Sequence, residues 1–400
     1  MMKALEGIRV LDLTQVLSGP FCTQMLADHG ADVIKIEPPE GDGSRIIGLQ
    51  AGAFREDGGA YFQSVNRNKR SIVIDLKQEE GKQIIRSMVR KADVLVENFR
   101  AGVMERLGLG YEVLREINPK LVYATVRGFG DPRTGESPLV DWPAFDIIAQ
   151  ATGGILSITG TSPEESIKIG PGVGDIVPGI FLAFGVLAAL RHAQATGNGQ
   201  FVDVAMSDGI LAITERIVHQ YLSTGQIPHP EGNAHPLFCP YGLFRAKDGW
   251  IAIGCLKDSF WESLCRIMGR QDMLDDISLK TSSQRQRRRD FINDQVSEWT
   301  RSRTKAELTQ LLGGVVPFGP VNNAVDILKD PHFAARKMLV HMKNGASGIT
   351  LVDTPIKMTE SPGGVETPPP KLGEHTRAIL EEFGFRPDDI DRYCSNSAVR

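Results

Sequence analysis

Strand and helix signals alternate through the first two hundred residues, and that rhythm leaves few folds open. Short apolar runs read as strands at 8–13, 31–36, 71–75, 93–97, 121–126 and 200–205. Helical patterns separate them at 18–29 and 79–91, then as two shorter helices before 121, and as one long apolar helix at 175–194. A further helix is expected at 207–224. Strand–helix–strand repeats close into a parallel sheet with helices on its faces, so the fold class is α/β with a Rossmann-like core. The texture changes at Gln226-Ile227-Pro228-His229-Pro230, a loop signal. Beyond it, runs at 241–245 and 250–254 flank Ala246-Lys247-Asp248-Gly249, whose Asp-Gly pair predicts a hairpin. Helices at 259–268, 284–300 and 305–312 complete a smaller α+β domain over 226–328. The large domain then comprises 1–225 with 329–400, and the prolines and glycines at 362–364 and 368–370 read as a segment running over its surface.

Composition narrows the class of function. Forty-five basic against 49 acidic residues give a net charge of −4, without the basic excess of nucleic-acid binders. With 41% apolar residues the chain can bury a core. The opening Met1-Met2-Lys3-Ala4-Leu5-Glu6 has no apolar leader, and the longest near-apolar run, 176–190, is short for a bilayer and ends on Arg191. Cysteines at 22, 239, 255, 265 and 394 are odd in number and contain no CxxC pair. They predict reduced thiols in a soluble cytoplasmic protein, with neither disulfides nor a zinc site. The eight histidines lack ligand spacing, so no metal is expected, and the basic run at 285–289 reads as a solvated helix face. The first strand-to-helix turn, Thr14-Gln15-Val16-Leu17-Ser18-Gly19-Pro20, lacks GxGxxG, which leaves Glu37 without the glycines a ribose-binding acid needs beside it. GxxxxGK[ST], HExxH and GxSxG are absent too.

The chemistry-bearing stretch is Gly170-Pro171-Gly172-Val173-Gly174-Asp175, at the mouth of the long helix. Its glycines let a backbone approach a ligand closely. Asp175 has two uses there. It can cap the helix, since Asp is among the favoured N-cap residues. It can also attack an activated carbonyl and carry the acyl group, with neighbouring N–H groups holding the oxyanion. Both readings stay open on these residues alone.

Longer blocks decide between them. They include Leu5-Glu6-Gly7-Ile8-Arg9-Val10-Leu11-Asp12-Leu13-Thr14, Ser18-Gly19-Pro20-Phe21 and Gly30-Ala31-Asp32-Val33-Ile34-Lys35-Ile36-Glu37. Asn66-Arg67-Asn68-Lys69-Arg70-Ser71-Ile72, Val96-Glu97-Asn98-Phe99 and Arg106-Leu107-Gly108 follow. Gly174-Asp175, Val316-Pro317-Phe318-Gly319-Pro320-Val321-Asn322 and Pro369-Pro370-Lys371-Leu372-Gly373-Glu374-His375-Thr376 complete the series. In this order and spacing the chain resembles the class III CoA-transferases of the formyl-CoA:oxalate type over nearly its whole length.

The resemblance implies an enzyme that moves CoA between carboxylic acids, with Asp175 as nucleophile. Its carboxylate attacks the donor acyl-CoA, giving a mixed anhydride and free thiolate. The thiolate returns to form an aspartyl-CoA thioester and releases the donor acid, and the acceptor reverses the sequence. CoA thioester is then a substrate, with no permanently bound cofactor. Asp146 matches the family's second acid, expected to orient Asp175 through a hydrogen bond or bound water. Val16, Leu17, Ser18, Ile74, Lys77, Asn98, Phe99 and Arg106 match CoA contacts. Pro38 and Pro143 replace basic contacts of the oxalate enzymes, which makes Arg45 the candidate to take over phosphate binding. Leu17 replaces a polar residue, and Gly254-Cys255-Leu256-Lys257-Asp258 stands where a glycine loop closes over oxalate. A larger dicarboxylate with succinyl-CoA as donor fits better, as in succinyl-CoA:glutarate-type members. The resemblance also implies an interlocked homodimer whose sites draw on both chains. Two other readings are an acyl-CoA epimerase like α-methylacyl-CoA racemase and a non-catalytic CoA-binding protein. Racemisation needs a histidine before Asp146, where Phe145 offers no proton acceptor.

Overall fold

The computed structural model describes residues 2–48, 58–343 and 348–400. The chain divides into two compact units. One holds Met1–Ile155, Ile169–Val218 and His332–Arg400, the other Leu156–Lys168 and His219–Pro331. The short stretch Leu156–Lys168 thus groups with the second unit, whereas the sequence reading places it in the large domain.

Six strands build the sheet of the first unit. They are β1 (Arg9–Asp12), β2 (Asp32–Glu37), β3 (Lys69–Val73), β4 (Val94–Glu97), β5 (Val122–Arg127) and β6 (Phe201–Ala205). Their spatial order is 3-2-1-4-5-6, and every neighbouring pair is parallel. A parallel sheet is covered on both faces, so its strands read as apolar runs rather than alternating ones. On one face lie Ile84, Ile85 and Met88 of the helix Glu79–Val89, with Leu114 of Tyr111–Ile117. Leu26 of Ser18–Asp28 and Leu182, Val186 and Ala189 of Val173–Thr196 cover the other. The strand β3 opens two residues before the apolar run does, because Lys69 is fully buried and paired with Asp12 (3.0 Å).

The long helix Val173–Thr196 has the length and hydropathy to cross a bilayer. One flank nevertheless packs into the unit through Pro178, Leu182, Val186 and Ala193, while Ile180, Phe184 and Leu187 stay exposed. The helix expected over 207–224 is two, Met206–Ile213 and Ile217–Thr224. The Thr214 hydroxyl bonds back to Leu211 O (2.7 Å) and Glu215 turns left-handed at φ +45°, which ends the first. The C-terminal segment is more than a surface strap. Helices Thr376–Phe383 and Pro387–Ser395 bury Ile379, Leu380 and Ile390 in the core of the sheet.

The second unit carries an antiparallel sheet in the order Phe318–Pro320, Gly249–Gly254, Tyr241–Ala246, the last two forming the expected hairpin. Its core contains Ile251, Trp261, Leu264, Ile292 and Leu308. The basic run departs from a solvated face at its first residue. Arg285 is wholly buried, donating to the carbonyls of Cys239 (3.0 Å), Leu279 and Lys280 (both 3.1 Å) and to Asp258 (2.7 Å). Turning that side chain inward accompanies a break at Arg288 between Ser282–Arg287 and Arg289–Arg301.

Candidate active site

In an open α/β sheet, ligands bind beyond the C-terminal strand ends where the strand order reverses, here between β1 and β4. A cavity of about 350 Å³ opens there. Gln15, Val16, Leu17 and Ser18 line it from the turn after β1, and Asn98, Phe99 and Arg100 from the turn after β4. Asp175 lines it from the long helix, and Pro143 and Phe145 complete one wall. Seven of the residues singled out in the sequence therefore meet within reach of one another or one bond away: Val16, Leu17, Ser18, Asn98, Phe99 and Asp175 at the cavity, and Asp146 behind it.

The carboxylate of Asp175 is half-buried, and among the described residues no donor reaches it. Burial, and second the negative charge of Asp146, push its pKa up to about 7. It is not a cap. Gly172 holds the N-cap position without a side-chain bond, and Asp175 is the third helical residue. An unsatisfied carboxylate costs stability and persists where something must come to meet it.

Asp146 is expected to orient Asp175 through a hydrogen bond or bound water, and its contacts reach the backbone beside the nucleophile. Its Oδ1 accepts the backbone N–H of Gly174 (2.8 Å), one residue before the nucleophile. Both its oxygens accept from the Gln150 amide (2.9 Å each), and Gln150 Oε1 accepts the Ile169 N–H (3.1 Å). The chain approaches so closely that a Cβ at Gly174 would stand 2.4 Å from Asp146 O. A Cβ at Gly172 would stand 3.8 Å from Asp175 Oδ2 and 3.9 Å from Asp146 Cγ, so both carboxylates flank that turn. Asp146 thus fixes the backbone under Asp175 and raises its pKa through space.

The helix mouth also differs from the oxyanion cradle suggested by its glycines. The N–H groups of Val173, Asp175 and Ile176 bond Pro171 O (2.8 Å) and Gly172 O (3.1 and 2.9 Å), and that of Gly174 is held by Asp146. Among the described residues, donors without an acceptor lie instead at Ser18 and Gly19, which open the helix Ser18–Asp28; Pro20 has no N–H, and that of Phe21 bonds Leu17 O (2.8 Å).

A second cavity of about 240 Å³ shares Gln15 and Phe99 with the first. Pro38, Ile74, Lys77, Val103 and Leu107 line it, with Lys77 exposed. Arg106, on the short helix Val103–Arg106, is exposed beside it. Arg45 does not join them. It is buried, with Nε and Nη2 bidentate on Glu37 (2.7 Å each), stacked 3.7 Å over Phe62 and donating to Pro370 O (3.2 Å). Only Nη1 is left without a partner among the described residues, and it is buried, so the guanidinium faces Glu37 and Phe62 and does not stand open beside Lys77. Glu37 is equally occupied.

Sequence reasoning missed Gln150, Arg100 and Tyr61. Gln150 stands four residues beyond Asp146, the spacing that faces two side chains on a helix. Tyr61 is half-buried, and burial with the charges of Asp175, Asp146 and Asp42 raises its hydroxyl pKa; nothing local in the sequence marks it. Among the described residues no group of three or more His, Cys, Asp or Glu is arranged for a metal ion.

Comparison with known proteins shows the family. The chain is 46% identical over 393 residues to the succinyl-CoA:mesaconate CoA-transferase of Haloarcula hispanica, covering 96% of this chain and 97% of the relative. It is 39% identical over 385 residues to the succinate–glutarate CoA-transferase of Agrobacterium fabrum, covering 95% of each. A CAIB/BAIF family protein from Brucella suis has a solved structure that superposes with a TM-score of 0.85 at 35% identity, covering 96% of this chain and all of that one. The CoA-transferase family III pattern matches residues 5–376, from the strand that opens the sheet to the helix that closes it, and the chain belongs to that family.

Proposed function

We propose that this CoA-transferase moves CoA from succinyl-CoA to a dicarboxylic acid through a covalent aspartyl-CoA thioester on Asp175. The observation that carries the reading is the Asp175 carboxylate, which lines the switch-point cavity with no donor of its own and titrates near neutrality. A carboxylate with a pKa of about 7 is a stronger nucleophile than an ordinary one and remains substantially ionised at neutral pH. It attacks the thioester carbonyl, the C–S bond breaks, and CoA leaves as thiolate. The thiolate adds to the aspartyl carbonyl of the anhydride and expels succinate. The acceptor carboxylate then attacks the aspartyl thioester, and the returning thiolate takes the acceptor's acyl group and restores Asp175. The N–H groups of Ser18 and Gly19, which open the helix Ser18–Asp28, are suited to each oxyanion.

The paired cavities support CoA as the shared substrate. A chain running past Gln15 and Phe99 spans from Asp175 to the pocket of Ile74 and Lys77. Lys77 and Arg106 at that end suit phosphates. The strand order supports a Rossmann-like domain. The exposed stripe of Ile180, Phe184 and Leu187 supports a homodimer, since a second copy would bury it. Free cysteines support a cytoplasmic setting. Succinyl-CoA as donor and a dicarboxylate as acceptor rest on the relatives from Haloarcula hispanica and Agrobacterium fabrum.

The test is a mass-spectrometric exchange screen of succinyl-, acetyl- and formyl-CoA against mesaconate, glutarate and other mono- and dicarboxylic acids, beside Asp175→Ala. New acyl-CoA masses from the wild type alone, with a CoA adduct on the Asp175 peptide, are expected. Intact donors throughout, despite measurable CoA binding, would overturn the proposal.

A further inference from the structure

The turn that carries Val16 to the cavity is held in a conformation its sequence disfavours. Val16 has φ +68°, a left-handed geometry that costs a β-branched residue heavily. The backbone leading into it is gripped atom by atom. Thr14 N–H donates to Asp12 (3.0 Å), and Thr14 O accepts from Lys35 Nζ (2.9 Å). Gln15 N–H and C=O both bond the Asn98 side-chain amide (2.8 Å each). Val16 N–H points at the two oxygens of Asp42 (3.2 and 3.3 Å).

Asp42 is built for that task. It is 2% exposed, ion-paired with Lys35 (2.8 Å) and bonded by Ser44 N–H and Oγ (2.8 Å each), while its own N–H donates to Glu37 (3.0 Å). Burial alone would raise its pKa, but Lys35 and the Ser44 bonds outweigh it and hold the carboxyl down at about 2. The acceptor facing Val16 therefore keeps full charge, and a charged acceptor makes the stronger bond.

We propose that Asp42 is a positioning residue for acyl transfer: it holds Val16 left-handed and so aims Leu17 and the start of the helix Ser18–Asp28 at Asp175. The inference rests on the reading of Asp175 as the acyl-carrying nucleophile. Without Asp42, Val16 relaxes toward negative φ, its peptide planes rotate, and the cavity wall moves by something like an ångström, a displacement that costs about 100-fold in rate.

Glycine adopts positive φ unaided, so it separates this role from a merely structural one. The experiment is a cycle of Asp42→Ala, Val16→Gly and Lys35→Met, read by kcat/KM for CoA exchange, by CoA affinity in calorimetry and by thermal melting. Asp42→Ala is expected to cost about 100-fold beside Val16 and less than about threefold beside Gly at that position. Lys35→Met on top of Asp42→Ala removes the orphaned buried charge; it should recover melting temperature but not rate. Equal losses in both backgrounds, or recovery of rate by Lys35→Met, would overturn the proposal. Where Asp42→Ala alone does not fold, the Lys35→Met/Asp42→Ala pair carries the comparison. A wild type that exchanges CoA between no donor and acceptor sinks the reading of Asp175 separately, and the cycle is then judged by the same criteria on CoA affinity.

Discussion

Asp175→Asn should abolish transfer and at the same time stabilise the protein. The unfolded side chain titrates near its ordinary value of 3.8, the folded one at about 7. Between those values the unfolded chain is ionised while the folded chain still holds its proton. A raised carboxyl pKa therefore contributes nothing against folding below about pH 4, costs stability progressively as pH rises, and reaches its full cost above about pH 7. Three units at ~1.36 kcal/mol each set an upper bound of about 4 kcal/mol. Asp175 is only half-buried, and solvent in the cavity screens it, so about 1–3 kcal/mol is the expected cost. Asparagine has nearly the same shape and no charge to desolvate. Urea denaturation of both proteins without CoA, at one protein concentration and at about pH 4.5, 6, 7 and 8, reads the difference. The asparagine variant should lead by about 1–3 kcal/mol at the highest pH, and the lead should shrink to about a kcal/mol or less at the lowest. A gap that ignores pH, or a variant less stable than the wild type at pH 8, would refute the argument, because it would mean the carboxylate is satisfied in the fold.

Three further outcomes follow from the same geometry. Asp146→Asn removes the second cause of the raised pKa, so the acid limb of the kcat/KM profile should move to lower pH; an unmoved limb would leave burial as the sole cause. Lys77→Ala should raise KM for acyl-CoA about tenfold and flatten its dependence on salt, as expected for a lost phosphate contact, and an unaltered salt dependence in initial-rate assays would remove Lys77 from the binding surface. Arg45→Ala leaves Glu37 charged and buried, so denaturation should register a loss of about 3–5 kcal/mol. CoA affinity of the folded fraction, by calorimetry, should match the wild type, and a weakened affinity would return Arg45 to the phosphate site.

The sheet was legible because its signals are local. A parallel strand covered on both faces is an apolar run, and five of the six announce themselves to within a residue or so. β3 is the exception, since its first residue is a lysine whose burial depends on Asp12, 57 positions away. The helix breaks at Thr214 and Arg288 were hidden for a related reason. A hydroxyl bonding back three residues, or an arginine drawn into a core by three carbonyls and an aspartate, leaves the apolar period on either side intact.

The active site divides along the same line. Asp175 stands out because glycines around a carboxylate at a helix mouth are a local pattern, whereas Asn98 and Phe99, just beyond β4, stand out only through the family resemblance. What those residues do is set by partners far off in the chain. The Gly174 N–H belongs to Asp146, 28 residues earlier, and the Val16 N–H to Asp42, 26 residues later. The same arginine that reads as a spare phosphate ligand becomes the counter-ion of Glu37 once the turn after β2 folds back on its strand. Charge counts fix what a segment can bind only after each charge has been debited its buried partner, and a sequence does not print those pairs. Lys35, Lys69 and Arg45, three cations within the first seventy residues, are all consumed beneath the turn that shapes the cavity. Exposed cations at the two cavities are Arg100, which lines the first, and Lys77, which lines the second, while Arg106 is exposed on the short helix whose Val103 lines the second.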